Sequence, residues 1–342
     1  MIAELAASQG LAISDPAFWM PLVFMVILLL LIAAALVFDG FDIGVGLLLQ
    51  LAPAELRPQM LSMLSAWRDA NEFWPLLGVG LFCAAFPFAW GPVLGNLYGP
   101  LACMTLGMML RSVAFEFRLR ASTERKPRWI LGFWLGSLLA ALGQGAALGR
   151  IVTSYQADAG YLGFSLFVGV CAVAAYALLG ACWLVMRVEG ELQRRAIVWA
   201  RHTVRWTAVG MVAIAVTLGL VNSGVFAKWS DVQHLGFAAT MWAVMLMCFV
   251  GMEIALARLA SKPDQQRSWL PFTLCVALYL LMLAGLAYSF FPYLVLDDMT
   301  LWDSAGSVAS MRMTLAGAIV GVPVVLVFNV LTYRTVFGKA RG

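Results

Sequence analysis

The stretch Phe38-Asp39-Gly40-Phe41-Asp42-Ile43-Gly44-Val45-Gly46 decides how this chain reads. It closes an apolar run from Pro21 to Val37 that is long enough to cross the hydrocarbon of a bilayer. At the end of that run it sets Asp39 and Asp42 one helical turn apart. Carboxylates at membrane depth are costly, need partners and mark ion or proton paths. Gly40 and Gly44 form a small-xxx-small pair, which lets the backbone of a second helix come close where the acids need company. The plainer reading leaves both acids at the membrane surface, past the end of the run. The proton-path reading is the one carried forward.

The rest of the chain agrees with a membrane setting. Of its 342 residues 63% are hydrophobic and 12% charged, and the mean hydropathy is +0.89, which no soluble globular class matches. Apolar stretches of helix-spanning length predict an all-α polytopic membrane protein. Nine spans are expected, near residues 18–48, 74–93, 96–117, 129–149, 162–186, 206–226, 236–257, 269–291 and 313–334. A tight turn around Leu94 to Asn96 is expected to part the second span from the third.

Charge gives the orientation, because short cytoplasmic loops collect Lys and Arg. The segments after spans one, three, five, seven and nine hold 18 of the 22 basic residues, among them Arg118, Arg120, Arg205, Arg258, Lys262, Lys339 and Arg341. This places the amino terminus outside and the carboxyl terminus in the cytoplasm. A net charge of +4 finds its partner in the anionic inner leaflet and calls for no nucleic acid. Residues 1–17 are mildly acidic and lack a basic leader, so the first span reads as retained. The six cysteines lie inside expected helices without CxxC spacing and read as packing residues.

Other polar residues are weighed against structural roles. Asp69 and Glu72 open the second span, where acids suit a helix N-terminus. Arg68, Asn71 and nearby aromatics suggest a partly buried network around Asp69. Arg111 lies within an apolar run and must pair internally or reach towards the surface near Arg118. Glu116, between Phe115 and Phe117, reads as an ion pair with Arg120 or as a proton relay. Gly132 with Gly136, and Gly145 with Gly149, promise close packing of the fourth span. His202 and His234 are the only imidazoles, both near loops, and no P-loop, GxGxxG, HExxH or Ser-His-Asp signal is present.

Taken in order, Asp39 to Gly46, Asp69-Ala70-Asn71-Glu72-Phe73-Trp74, Phe82 to Pro87, Arg111 to Arg118, Gly136-Ser137, Gln144-Gly145, Glu189-Gly190-Glu191-Leu192, Phe291-Pro292, Trp302-Asp303 and Phe337-Gly338-Lys339 resemble subunit II of the cytochrome bd-type quinol oxidases, with a lean towards the cyanide-insensitive branch. The resemblance covers nearly the whole chain. It implies two four-helix bundles over 18–149 and 162–291 plus a last helix at 313–334, within one integral membrane domain of the bacterial inner membrane. It also implies oxidation of a membrane quinol and reduction of oxygen to water with proton uptake from the cytoplasm, heme b and heme d residing in a partner subunit I. The resemblance implies that Asp42 and Asp69 help carry protons towards the partner's heme, with Glu116 and Arg120 near the subunit interface. The reading of the residues adds Asp39, Glu72 and Glu116 to the expected proton path and Arg111, Arg118 and Arg120 to expected ion pairing or the interface. Further expected associates are a small single-helix accessory subunit, membrane lipids and a structural quinone or lipid. Where many relatives read Trp-Asp-Gly this chain reads Arg68-Asp69-Ala70, and a basic neighbour favours an ionised, less relay-like Asp69. A proton-coupled secondary transporter is the alternative, disfavoured because the intramembrane acids sit mainly in the first half rather than in corresponding places of two halves.

Overall fold

A computed structural model of the protein describes residues 2–64, 67–261 and 267–337. Lys262, Gly338, Lys339 and Arg341, used above for charge and motif, lie outside these. After the short α1 (Ile2–Ser8) come α2 (Pro16–Leu48), α3 (Arg57–Ser62), α4 (Arg68–Asn71), α5 (Phe73–Ala85) and α6 (Pro87–Arg120). Then follow α7 (Lys126–Val152), α8 (Ala159–Arg187), α9 (Gly190–Val221), α10 (Ser223–Ser230), α11 (Val232–Ser261) and α12 (Leu270–Phe290). A two-stranded hairpin, β1 (Tyr293–Val295) with β2 (Met299–Thr300), precedes α13 (Val308–Phe337).

Among the described residues eight helices are long and apolar enough to cross a membrane, against the nine spans expected. The difference lies in the second and third spans. The break falls at Phe86 (φ −124°, ψ 59°), and Pro87 follows it at the start of α6. Proline has no N–H to extend the helix behind it and is preorganised for the first turn ahead. The turn expected at Leu94 to Asn96 is absent, and helix runs without interruption from Pro87 to Arg120. Gly95 and Asn96 are turn-forming in water, but in hydrocarbon an opened turn leaves backbone groups without water to satisfy them. The outcome is a 13-residue α5, about 20 Å long, followed by a 34-residue α6 of about 51 Å.

Two compact units share the long helices. The first comprises residues 1–39, 64–95 and 286–342, and the second residues 40–63 and 96–285, so α2 and α6 each pass from one unit into the other. In the first unit Trp302 donates its indole N–H to the Phe18 carbonyl at 3.0 Å and stacks on the Phe18 ring, which ties the β hairpin to the start of α2. The second unit is held by α6, α7, α8 and α9, with glycines at the crossings. A Cβ on Gly136 or Gly143 of α7 would meet α6 backbone at 2.5 Å, and one on Gly145 would stand 2.8 Å from Gly169 of α8. The small residues predicted to pack therefore do so on two faces of α7. At its end Ser154 and Tyr155 turn with positive φ, and the Asn222 side chain takes the Ser154 hydroxyl at 2.8 Å.

Candidate functional site

Every residue from Asp39 to Leu48 of α2 is buried, as expected for a helix segment that is hydrophobic on all sides, yet this one carries two carboxylates. Asp42 is 0% exposed and Asp39 2%. Around Asp42 the second unit is nearly closed to a side chain. Gly44 lies so near α8 that a Cβ there would sit 2.0 Å from the Tyr176 carbonyl oxygen, while Gly180 mirrors it at 2.3 Å from the Gly44 carbonyl carbon. Phe41 stacks on Trp183 with centroids 4.2 Å apart, and the Trp134 indole donates to the Leu47 carbonyl at 3.1 Å.

Helix α7 packs against both helices that carry the buried charged groups Asp42 and Arg111. Its Phe133 and Ser137 back onto Gly46, one turn along α2 from Asp42, and its Gly136 backs onto the main chain of Arg111 of α6. Arg111 is 0% exposed, so its guanidinium does not reach the surface of the chain near Arg118. The helices that carry Asp42 and Arg111 thus both pack on the 133–137 stretch of α7. Such a buried acid can hold or release a proton only through buried neighbours, as a relay group requires.

The first unit has its own polar cluster. Arg68, 3% exposed, donates to Glu72 and to Asp69, each at 2.8 Å. Glu72 is half-buried, whereas the Asp69 side chain is 76% exposed, so the buried network expected around Asp69 is centred on Arg68 instead. Asn71, 0% exposed, donates to the Phe38 carbonyl at 3.1 Å and accepts from the Tyr333 hydroxyl at 3.1 Å. Asn329 of α13 donates to the Ala70 carbonyl at 2.9 Å, and Trp67 stacks on Tyr333 at 5.2 Å. Asn71, Asn329 and Tyr333 fix α4 against α2 and α13. Asn71 was expected in this network, whereas Asn329 and Tyr333 were not, and the one signal for Asn329 is an amide inside an apolar run, which sequence alone does not separate from an incidental one. Beside this cluster an apolar groove of about 780 Å³ runs between α2 and α13, with Asn329 and Arg334 at its polar end.

The remaining candidates are peripheral. Glu116 and Arg120 are exposed on α6, and Arg118 is half-buried with its guanidinium 5.1 Å over the Phe115 ring. Outside the spans, burial pushes the Tyr155 hydroxyl up to about 12 and holds the Lys228 ammonium below its usual range. His202 is exposed and His234 half-buried at the start of α11, so neither points an imidazole into a bundle as an axial heme ligand would need. The histidines of this chain therefore do not fit a heme held by the chain itself.

Comparison with known proteins places these features. The family described as cytochrome bd terminal oxidase subunit II matches residues 20–336. The chain is 24% identical to cytochrome bd-I ubiquinol oxidase subunit 2 of Escherichia coli strain K12, covering 88% of this chain and 90% of that one. It is also 24% identical to cytochrome bd ubiquinol oxidase subunit 2 of Bacillus subtilis strain 168, covering 86% and 89%. Among solved structures, a chain of the bd oxidase from Geobacillus thermodenitrificans shares the fold with a TM-score of 0.75 at 15% identity, over 94% of this chain and 99% of the other. Matched from the first long helix to the last, the chain belongs to the family of cytochrome bd terminal oxidase subunit II.

Proposed function

We propose that this chain acts beside a heme-bearing subunit I in the bacterial inner membrane, supporting it and handling protons taken from the cytoplasm while quinol is oxidised and oxygen reduced to water. The observation that carries this reading is the complete burial of Asp42 together with Arg111 in a bundle otherwise closed by glycine contacts. In this reading heme b and heme d reside in the partner and would supply the oxygen chemistry there, and no step is assigned to them through this chain. Asp42 is the principal relay group, and Asp39, one turn away on the same helix, is its neighbour in sequence and in function. Glu72 and Asp69 are exchange groups of the first unit held by Arg68, and Glu116 is one of the second. Arg111 sets the charge of the relay, and Arg118 and Arg120 serve the subunit interface.

The groove between α2 and α13 suits a long apolar chain with a polar head near Asn329 and Arg334, the shape of a structural quinone or a lipid. A small single-helix accessory subunit completes the proposed assembly. The proposed orientation puts the amino terminus outside and the carboxyl terminus in the cytoplasm, which requires α5 and α6 to serve as an outgoing and returning pair. The test is Asp42→Asn in the assembled complex. Asn keeps the size of the side chain but exchanges no proton near neutral pH. Oxygen consumption with quinol is expected to fall at least about tenfold, on the scale of a lost proton-transfer group, with hemes retained. Full activity with normal assembly would reduce the α2 acids to structural residues.

A further inference from the structure

A second groove, about 440 Å³, lies within the second unit between α9 and α11. Its walls are apolar, with Met211, Trp242, Met245, Leu246 and Val250 among them, and Leu246 is 64% exposed. At one end stands a single ion pair, Arg205 with Glu253, 3.8 Å apart with side chains 72% and 36% exposed. That separation is long for a hydrogen-bonded pair, and exposed pairs of this kind contribute little stability, so the two charges open at small cost.

The dimensions of the groove identify its occupant. From Glu253 down to Trp242, α11 rises about 16 Å, close to half of the ~30 Å hydrocarbon thickness. A transmembrane helix of a partner would need a face running the full thickness, whereas one acyl chain fills one leaflet. The polar end carries both signs of charge. A guanidinium takes a phosphate through paired N–H donors, and a carboxylate beside it takes an ammonium while repelling a purely anionic head group.

We infer that the α9/α11 groove is a binding site for one zwitterionic aminophospholipid, its phosphate on Arg205, its ammonium on Glu253 and an acyl chain along Met211, Met245 and Trp242. The inference rests on the membrane setting of the chain and not on the proton path. It names the lipid class for one site on the surface, and it leaves the α2/α13 groove to its own occupant.

The experiment uses the whole oxidase with its partner subunit. Lipids retained after detergent washing are counted by native mass spectrometry after exposure to vesicles of phosphatidylethanolamine, phosphatidylglycerol or both. The wild-type complex is expected to hold one phosphatidylethanolamine with at least about fivefold preference. Arg205→Gln should lower that retention by a similar factor, and Glu253→Lys should turn the preference towards phosphatidylglycerol. A photoactivatable residue at position 246 should cross-link to lipid. Equal retention of both lipids by the wild type, or a cross-link to a polypeptide, overturns the inference, and both readouts stand even where a variant fails to assemble. Quinol oxidation is followed in the same samples, so a complex without activity speaks against the oxidase reading and not against the lipid site.

Discussion

Arg68 is the residue whose neighbours constrain it most in the first unit: a guanidinium 3% exposed, held by Glu72 and Asp69. Removing one partner of a buried charge costs about 3–5 kcal/mol, and Glu72 is the less exposed partner. Glu72→Gln is therefore expected to destabilise the complex more than Asp69→Asn, by several degrees in a thermal assay of the assembled oxidase. Equal effects would mean that solvent, not Glu72, satisfies Arg68. Tyr155 makes a separate prediction on pH. Burial raises its folded value to about 12, above the usual tyrosine value of about 10. The neutral hydroxyl is the form the fold prefers, so the stability linked to it is fully present below pH 10 and is lost as pH rises from about 10 through 12. Tyr155→Phe should flatten the loss of thermal stability over that window, and an unchanged profile would show that the group does not report on folding. At this scale the sequence was informative about identity and less so about surroundings. Asp39 and Asp42 were legible because acids interrupt an apolar run, whereas the exposure of Asp69 and the roles of Asn71, Asn329 and Tyr333 depend on contacts made across hundreds of residues of chain.

Helix contacts in the second unit are set by glycine more than by large apolar side chains. In a bilayer, burying Leu against Leu gains little over burying it in lipid, so close backbone packing and polar bonds must hold the bundle. Gly44 and Gly180 are the sharpest case, each facing backbone atoms that cannot swing away as a side chain can. Gly44→Ala is expected to cost at least about 1–3 kcal/mol, the range of overpacked cores. The measurement is yield and thermal stability of the heme-containing complex, with Gly80→Ala, which meets open space, as the comparison. If both variants behave alike, the α2/α8 crossing is looser than the contact implies. Helix identity and the small-residue pairs were readable from the sequence, since apolar runs and four-residue spacing are local signals. The break at Phe86 was not, because Leu94-Gly95-Asn96 carries the stronger turn composition and only the demand for satisfied backbone groups keeps it helical.

For the molecule as a whole, if the proposed orientation from the excess of basic residues on alternate segments holds, a reporter active only outside the membrane should be silent after Gly342 and active near Asp158. The reverse pattern would mean that α5 and α6 do not form a returning pair. Family membership was legible because a set of short motifs recurs in order along the chain, while the grouping into units of non-consecutive stretches was not, since it depends on which helices meet. The central claim is that this chain is a partner to the heme-bearing subunit and does not itself hold heme. Its most direct measurement is the reduced-minus-oxidised spectrum of the chain purified alone and with subunit I. The account predicts no stoichiometric heme alone, a full heme spectrum with quinol oxidation for the pair, and the same spectrum after His202→Ala and His234→Ala. An isolated chain that carried tightly bound heme and lost it on either replacement would contradict the account.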